Sequence, residues 1–242
     1  MKKKRTALVT GGIQGLGAAA AKALRDSGHL VVVTNRAESD KTKAFTEETG
    51  LTHYAWDVSD FNACEKGVAA VERDLGPIDV LVNNAGVTRD VMFHKMSLEQ
   101  WQAVLNVDLD SMFNMCRQVI GGMRDRGFGR IINISSVNGL RGQIGQTNYC
   151  AAKAGVLGFT RALALETARK GITVNAIAPG YCDTPMVAAV PKDMVEKITA
   201  QIPVGRLGQP EEIGRVVAFL SSEGSGFITG ATLSVNGGMY LS

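Results

Sequence analysis

A tyrosine, a lysine and a serine in the second half of the chain have the types and spacing of an acid/base centre. Tyr149 and Lys153 lie four positions apart, so both project from one face of a helix. A phenol with a pKa of about 10 is a poor acid or base at neutral pH. An ammonium group beside it stabilises the phenolate and lowers that pKa. Ser136, directly after an apolar run, is then placed to hold a substrate oxygen; a surface tyrosine–lysine pair is the alternative.

A glycine-rich turn near the start of the chain is suited to hold a phosphate. The run Thr10-Gly11-Gly12-Ile13-Gln14-Gly15-Leu16-Gly17 joins the first predicted strand to the first predicted helix. Glycines let the backbone approach a ligand closely, and a helix N-terminus offers amides and a positive dipole end to a pyrophosphate. The context favours a dinucleotide site, and a tight turn without a ligand is the alternative. The predicted contacts are Gly11, Gly12, Gln14, Gly15, Leu16 and Gly17.

The residues at the end of the second predicted strand bear on which dinucleotide is bound. An acid there binds the 2′-hydroxyl of the adenine ribose and repels a 2′-phosphate. This chain has Asn35-Arg36 instead, and an arginine favours the phosphate. The expected cofactor is therefore NADP(H), unless Arg36 is a solvated loop residue.

Alternating strands and helices position these residues. Short β-branched runs, typical of strands buried on both faces, occur at residues 7–9, 31–34, 80–82, 131–134, 172–174 and 232–235. Helical patterns lie between them, at residues 15–27, 61–75, 98–126, 151–170 and 210–221. This order predicts an α/β fold, with a parallel sheet covered by helices on both faces.

The chain is expected to form one domain. No internal repeat, low-complexity tract or linker interrupts residues 1–242. Residues 183–201 are helical in pattern but are not followed directly by a strand. We expect this segment to be a mobile flap over the substrate site.

Composition and charge exclude several classes of protein. A chain of 242 residues that is 45% hydrophobic and 20% charged is typical of a soluble globule with a sizeable core. Its net charge of +3 is too small to indicate a nucleic-acid partner. The apolar runs are too short for a membrane span, and Thr10-Gly11-Gly12 interrupts the first one too early for a signal peptide. The basic start, residues 1–5, is therefore expected to be a solvated terminus.

Cysteine usage indicates a reducing compartment. The chain has four cysteines, widely spaced and without a C-x-x-C motif: Cys64, Cys116, Cys150 and Cys182. This pattern suggests neither a disulfide framework nor a zinc site. We expect a cytoplasmic protein without a metal.

The motifs taken together resemble those of the short-chain dehydrogenase/reductase family. They are Thr10-Gly-x-x-x-Gly-x-Gly17, Asn83-Asn84-Ala85-Gly86, Ser136, Tyr149-x-x-x-Lys153 and Pro179-Gly180, and the match continues through Val235-Asn236-Gly237-Gly238. The resemblance implies a Rossmann-type, doubly wound parallel sheet of about seven strands, and a homotetramer. It implies that Tyr149 is the acid/base, that Lys153 binds the nicotinamide ribose and tunes Tyr149, and that Ser136 positions a carbonyl.

The resemblance also implies the remaining cofactor contacts. Asp57-Val58, after the third strand, matches a pair that contacts the adenine. Asn84-Ala85-Gly86 lies at the carboxyl edge of the sheet, where doubly wound folds bind ligands. The segment that holds the nicotinamide carboxamide is matched by Pro179, Gly180, Cys182 and Thr184.

One position departs from the family's pattern. The family places a fourth catalytic residue, an asparagine, in the long helix before the fifth strand, and the matching residue here is Asp108. Asn106 lies two positions away and would face elsewhere. In the resembling enzymes the asparagine's backbone carbonyl holds a water that leads to the lysine, and a main-chain carbonyl survives a side-chain change. We expect Asp108 to belong to the catalytic group, where a carboxylate near Lys153 would favour the ammonium form.

Three segments resemble the acetoacetyl-CoA reductases of polyhydroxyalkanoate synthesis. They are Thr88-Arg89-Asp90, residues 135–139 and residues 142–149. The expected reaction is NADPH-dependent reduction of the 3-keto group of acetoacetyl-CoA, a CoA thioester. Gln143, Gln146 and Tyr181 would flank Tyr149 and could hydrogen-bond a thioester carbonyl, unless the glutamines are solvated loop residues. The predicted substrate residues are Asp90, Ser136, Gln143, Ile144, Gln146, Tyr149 and Tyr181.

Two other functions stay open at this point. The 3-oxoacyl-[acyl-carrier-protein] reductases of fatty-acid synthesis share Thr88-Arg89-Asp90 and much else. A regulatory protein that senses NADP(H) without turnover is the second alternative, although it would not need Ser136, Tyr149 and Lys153 intact.

Overall fold

The fold is a single parallel sheet with helices on both faces. The computed structural model describes residues 4–241. Seven strands, all paired in parallel, lie in the order β3-β2-β1-β4-β5-β6-β7. They are β1 (Thr6–Thr10), β2 (Leu30–Asn35), β3 (Thr52–Ala55), β4 (Ile78–Asn83), β5 (Gly129–Ile134), β6 (Ile172–Pro179) and β7 (Thr232–Val235). The doubly wound α/β fold and its seven strands are thereby confirmed.

Ten α-helices connect the strands in the described part of the chain. They are α1 (Gly15–Asp26), α2 (Asp40–Thr49), α3 (Phe61–Leu75), α4 (Leu98–Leu105), α5 (Ser111–Arg126), α6 (Asn138–Arg141), α7 (Thr147–Thr167), α8 (Pro185–Ala188), α9 (Lys192–Ala200) and α10 (Pro210–Ser221). A π-helical turn, Asn106–Asp110, separates α4 from α5. The predicted bounds of α3 and α10 are confirmed. Asp60 is the N-cap of α3, and Pro210 is the first residue of α10.

Successive strand residues are buried on opposite faces of the sheet, which explains the continuous apolar runs. In β1, Ala7 and Val9 pack with α1 and α10, whereas Leu8 packs with α3 and α5. In β4, Val80 and Val82 alternate with Leu81 in the same way. A strand covered on both faces has no polar side, so alternation is lost and only the run remains.

The prediction failed where tertiary packing overrides local pattern. The single helix predicted at residues 98–126 is interrupted by the π-helical turn, and α7 begins at Thr147 rather than at residue 151. No apolar run marks β3, an edge strand without a buried residue. Helix α2 was missed because it is polar on most sides, with Thr42 and Phe45 as its buried residues.

The predicted flap is helical and lies on the surface. Residues 183–201 contain α8 and α9, and none of them is buried. The side chain of Thr184 lies close to Gly15, so the segment begins beside the glycine-rich turn. That the segment moves over a substrate stays a prediction.

The basic start is only partly a solvated terminus. Its first three residues lie outside the described part of the chain, and Lys4 is exposed. Arg5 lies 3.3 Å from the ring centre of Phe128 and forms an ion pair of 2.7 Å with Glu223. The expectation was wrong for Arg5, because a cation that stacks on an aromatic ring buries its stem. Within residues 4–241, no helix combines the length and apolar content needed to cross a membrane.

Candidate active site

The predicted site residues gather at the carboxyl ends of the central strands. The strand order reverses between β1 and β4, which is where doubly wound sheets bind ligands. Asn84, directly after β4, joins the two strand ends: its Nδ2 donates to the carbonyls of Thr10 (2.9 Å) and Gly11 (3.1 Å). The Thr10 hydroxyl accepts from the backbone N–H groups of Asn84 (2.9 Å) and Ala85 (3.1 Å). This clamp fixes the glycine-rich turn against the Asn83-Asn84-Ala85-Gly86 segment.

The glycine-rich turn leaves no space for a side chain at Gly12 or Gly17. A Cβ on Gly17 would lie 2.2 Å from the carbonyl oxygen of Gly11, and Gly11 itself has a φ of +62°. Helix α1 begins at Gly15, and the Gln14 side chain at its N-cap accepts no hydrogen bond from the first turn, which contains no acid. The first amides of α1 are thus left to bind an anion, and the turn fits a dinucleotide pyrophosphate.

The predicted adenosine end of the site is held by polar contacts. Asn35 donates from Nδ2 to the carbonyl of Ala37 (2.6 Å), and its Oδ1 is hydrogen-bonded to the ring of His53 on β3. Arg36 is exposed. Asp57 accepts from the N–H (2.9 Å) and hydroxyl (2.7 Å) of Ser59. His53 was missed, since a lone histidine in a polar strand carries no recognisable signal. The side chain of Val58 is buried in the core.

The predicted nicotinamide segment follows β6. The Gly180 N–H donates to the Val235 carbonyl (2.9 Å), which ties the segment to β7. Thr184 caps α8 with its hydroxyl. The Cys182 thiol lies in the core on the α1 face of the sheet, so a cofactor contact at this position would come from the backbone.

Tyr149, Lys153 and Ser136 are brought together as expected. Lys153 is 3% exposed, donates from Nζ to the Ile134 carbonyl (3.1 Å) and lies 5.6 Å from the ring centre of Tyr149. Ser136, two positions beyond the end of β5, is buried, and its hydroxyl accepts from the Asn138 N–H (3.1 Å). A surface tyrosine–lysine pair is excluded by this burial.

Burial controls the acid/base character of Tyr149. It raises the pKa of Tyr149, and the Asp108 carboxylate acts in the same direction. The Lys153 ammonium and a hydrogen bond with Ser136 lower the pKa, but the net shift is upward. The expected lowering of the pKa by Lys153 is present, yet burial outweighs it. Tyr149 is therefore held as a phenol, the form that can donate a proton.

Asp108 lies beside Lys153, deep inside the protein. It is fully buried, accepts at Oδ1 from the Val87 N–H (2.8 Å) and places Oδ2 3.2 Å from Lys153 Nζ. The π-helical turn carries Asp108 inward, while Asn106 is exposed, as expected from its position.

The two buried charges oppose the effect of burial on each other. Burial lowers the pKa of Lys153, but Asp108 and Tyr149 together raise it above its ordinary value. Burial raises the pKa of Asp108, against the opposing effects of Lys153 and the Val87 N–H. The ammonium form of Lys153 is therefore favoured while the carboxylate stays beside it.

Three of the predicted substrate residues, Asp90, Gln146 and Tyr181, are joined through Asn138 in a hydrogen-bond network that the sequence did not reveal. Gln146 donates from Nε2 to Asp90 (2.7 Å) and accepts at Oε1 from Asn138 (3.0 Å). Asn138 Nδ2 also lies 3.5 Å from the hydroxyl of Tyr181. Gln146 is thus anchored between two protein groups rather than solvated. Asn138 was missed because a short polar side chain after a strand reads as an ordinary cap.

Gln143 and Ile144 lie outside this network. Both are exposed in the loop between α6 and α7. The next residue, Gly145, accepts from the Val91 N–H (2.9 Å), so the loop is tied to the segment after β4. In the described residues, no three His, Cys, Asp or Glu side chains are grouped to hold a metal ion.

Comparisons with known proteins identify the family. A family model described as enoyl-(acyl carrier protein) reductase matches residues 11–240. An acetoacetyl-CoA reductase of Shinella zoogloeoides is 60% identical, and one of Rhizobium meliloti (strain 1021) is 58% identical; each match covers 98% of this chain and 99% of the relative. A 3-oxoacyl-[acyl-carrier-protein] reductase of Haemophilus influenzae is 42% identical, with the same coverage. The chain belongs to the short-chain dehydrogenase/reductase family.

This membership confirms both the family and the type of chemistry that the motifs predicted. A short-chain dehydrogenase/reductase is an oxidoreductase that uses a nicotinamide cofactor, and the glycine-rich turn of this chain has the geometry to hold one. The half-buried Tyr149 and the buried Lys153 and Ser136 lie at the same edge of the sheet as that turn.

The Lys153–Asp108 pair predicts a stability effect. Lys153→Met leaves the Asp108 carboxylate buried without its counter-charge, and breaking a buried pair in this way costs about 3–5 kcal/mol. We expect a lower urea midpoint at neutral pH. Adding Asp108→Asn to Lys153→Met removes the stranded charge and is expected to restore part of the loss.

The exposed Lys170 provides the control for this experiment. Lys170→Met removes the same charge from the surface and is expected to leave the urea midpoint in place. A Lys153→Met protein as stable as the parent would show that the pair does not contribute to folding.

Proposed function

We propose that the protein catalyses the NADPH-dependent reduction of the 3-keto group of acetoacetyl-CoA to the 3-hydroxyacyl-CoA. The observation that carries this proposal is the half-buried Tyr149 with the buried Lys153 and Ser136, at the same sheet edge as the glycine-rich turn. The substrate is supported by the identity of 60% and 58% with the two acetoacetyl-CoA reductases, against 42% with the carrier-protein reductase.

Each catalytic side chain has a role that its surroundings suit. Ser136 holds the 3-keto oxygen by a hydrogen bond, close to Tyr149. The nicotinamide, when bound, supplies a hydride to the carbonyl carbon. Tyr149 gives its phenolic proton to the carbonyl oxygen, which becomes the hydroxyl group, and the phenolate left behind is stabilised by the Lys153 ammonium. Lys153 then passes a proton back to Tyr149 from solvent, with the backbone carbonyl of Asp108 at the inner end of the relay.

The cofactor assignment to NADP(H) depends on the end of β2. Asn35 is neutral and does not repel a 2′-phosphate, and Arg36 is exposed beside it with its charge available. Asp57-Val58 would contact the adenine. The pyrophosphate would lie on the first turn of α1 and against Asn84-Ala85-Gly86. The segment Pro179, Gly180, Cys182 and Thr184 would hold the carboxamide.

The Gln146 network is proposed to hold the acyl thioester. Asp90 and Asn138 orient Gln146, and Tyr181 lies next to Asn138, so amide and hydroxyl groups face the mouth of the site. Gln143 and Ile144 would cover the thioester from the exposed loop, and residues 183–201 would close over it. CoA phosphates would bind to exposed cations on segments near the mouth of the site, and the candidates are Arg89, Lys95, Arg141 and Lys192.

We also propose that the protein is a cytoplasmic homotetramer that serves polyhydroxybutyrate synthesis. The four cysteines are all free thiols, as a reducing compartment favours. Exposed apolar surface favours contacts between subunits. Large apolar side chains are exposed on several helices and near β7, namely Phe113, Leu165, Phe219 and Phe227.

The alternative function is 3-oxoacyl-[acyl-carrier-protein] reduction, which the Haemophilus influenzae relative supports. A protein that only senses NADP(H) is disfavoured, because a sensor has no need of a buried acid/base group.

Turnover with defined acyl donors tests the function. We expect acetoacetyl-CoA with NADPH to give a kcat/KM at least about tenfold above acetoacetyl-carrier protein, since each tenfold ratio needs only about 1.4 kcal/mol of differential transition-state binding. A longer 3-oxoacyl-CoA and NADH are the comparison arms, and consumption of NADPH is read by absorbance. Preference for the carrier protein would establish the alternative, and no turnover with any donor would favour the sensor.

Arg36→Ala tests the cofactor assignment. Loss of a charge-assisted contact with the 2′-phosphate is expected to raise the KM for NADPH about ten- to hundredfold and to leave that for NADH nearly unchanged. Lys41→Ala, which removes an exposed cation from α2, is the control and is expected to change neither value. Equal effects of Arg36→Ala on both cofactors would assign Arg36 a structural role.

A further inference from the structure

Asp108 places a carboxyl group where an amide could make the same hydrogen bond. Its Oδ1 accepts from the Val87 N–H, a contact that an asparagine oxygen can also make. Its Oδ2 lies 3.2 Å from Lys153 Nζ in a buried ion pair. What the carboxylate adds to this contact, compared with an asparagine, is its negative charge.

Asp108 Oδ2 and Lys153 Nζ lie so close to Gly86 that no side chain fits between them and the backbone at this position. A Cβ on Gly86 would lie 2.9 Å from Asp108 Oδ2 and 3.4 Å from Lys153 Nζ. Asp108 and Lys153 are both almost completely buried, so water and salt screen their interaction little. A charge at Asp108 thus acts on Lys153 and, through it, on Tyr149 with little attenuation.

We propose that Asp108 is a positioning residue which, by offsetting the charge of Lys153, makes Tyr149 keep its proton to higher pH than Lys153 alone would allow. The proposal rests on the proposed role of Tyr149 as the acid in carbonyl reduction. It goes beyond the proton relay through the backbone carbonyl of Asp108, because here the side-chain charge of Asp108 controls the pH at which Tyr149 loses its proton.

The charged groups around Tyr149 support this direction. Lys153, one turn along α7, favours the phenolate, whereas Asp108 on the π-helical turn and Asp90 in the loop after β4 oppose it. Ser136, after β5, favours the phenolate by a hydrogen bond. Replacing Asp108 by a neutral residue removes one of the two carboxylates that oppose the cation, so Tyr149 should lose its proton at lower pH as long as Lys153 remains an ammonium. In the reduction this proton is consumed, and its loss sets the alkaline limit of turnover.

Ultraviolet titration of the ligand-free protein tests the proposal directly. The chain has four tyrosines, so the phenolate absorption of Tyr149 is obtained by subtracting the titration of Tyr149→Phe. We expect Asp108→Asn to move the Tyr149 phenolate to lower pH by about one unit or more, the size of shift that a nearby opposite charge produces. The alkaline limb of kcat should move in the same direction.

Asp110→Asn is the matched control. It removes the same charge from the same π-helical turn, but Asp110 is exposed, and we expect no shift of the Tyr149 phenolate. If Asp108→Asn does not fold, Asp108→Ser removes the charge from a smaller side chain and carries the same test.

Three titration results would overturn the proposal. They are a Tyr149 phenolate at unchanged pH in Asp108→Asn, a phenolate shifted to higher pH, and an equal shift in Asp110→Asn. A folded but inactive Asp108→Asn would also do so, because the carboxylate would then take part in proton transfer itself. The titration needs no substrate, so failure of the proposed reduction would leave its result readable.

Discussion

The buried ammonium group of Lys153 is the constraint on which the site depends. A charge removed from water must be compensated, and the protein supplies the Ile134 carbonyl at the end of β5 and the Asp108 carboxylate from the π-helical turn. Helix α7 therefore lies against the end of β5. The π-helical turn between α4 and α5 directs the Asp108 carboxylate inward. Tyr149 shares the face of α7 that this packing buries, and its proton is held by the same balance of charges.

The clamp made by Asn84 couples this centre to the dinucleotide turn. One side chain bonds to the carbonyls of Thr10 and Gly11, and the same segment contributes Gly86 and Val87 to the surroundings of Asp108. The phosphate turn and the acid/base group are thus parts of one hydrogen-bonded edge rather than separate sites. A parallel sheet makes this possible because all its strands end at that edge.

The sequence predicts best where one local signal determines the structure. The Asp60 cap and Pro210 mark α3 and α10, and the spacing of Tyr149 and Lys153 places them on one helix face. It predicts poorly where the cause lies in distant residues. The π-helical turn that carries Asp108, the anchoring of Gln146 by Asp90 and the hydrogen bond of Asn35 with His53 each depend on segments far apart in the chain. No spacing rule encodes such contacts.

The most direct test of the central claim compares two pH profiles of the parent protein. One is kcat/KM for acetoacetyl-CoA at saturating NADPH, which reports groups in the complex before acetoacetyl-CoA binds. The other is the phenolate absorption of Tyr149 in the presence of NADPH, corrected with Tyr149→Phe. If Tyr149 is the acid, kcat/KM falls over the pH range in which the phenolate forms. A kcat/KM that persists after the phenolate has formed would contradict the account.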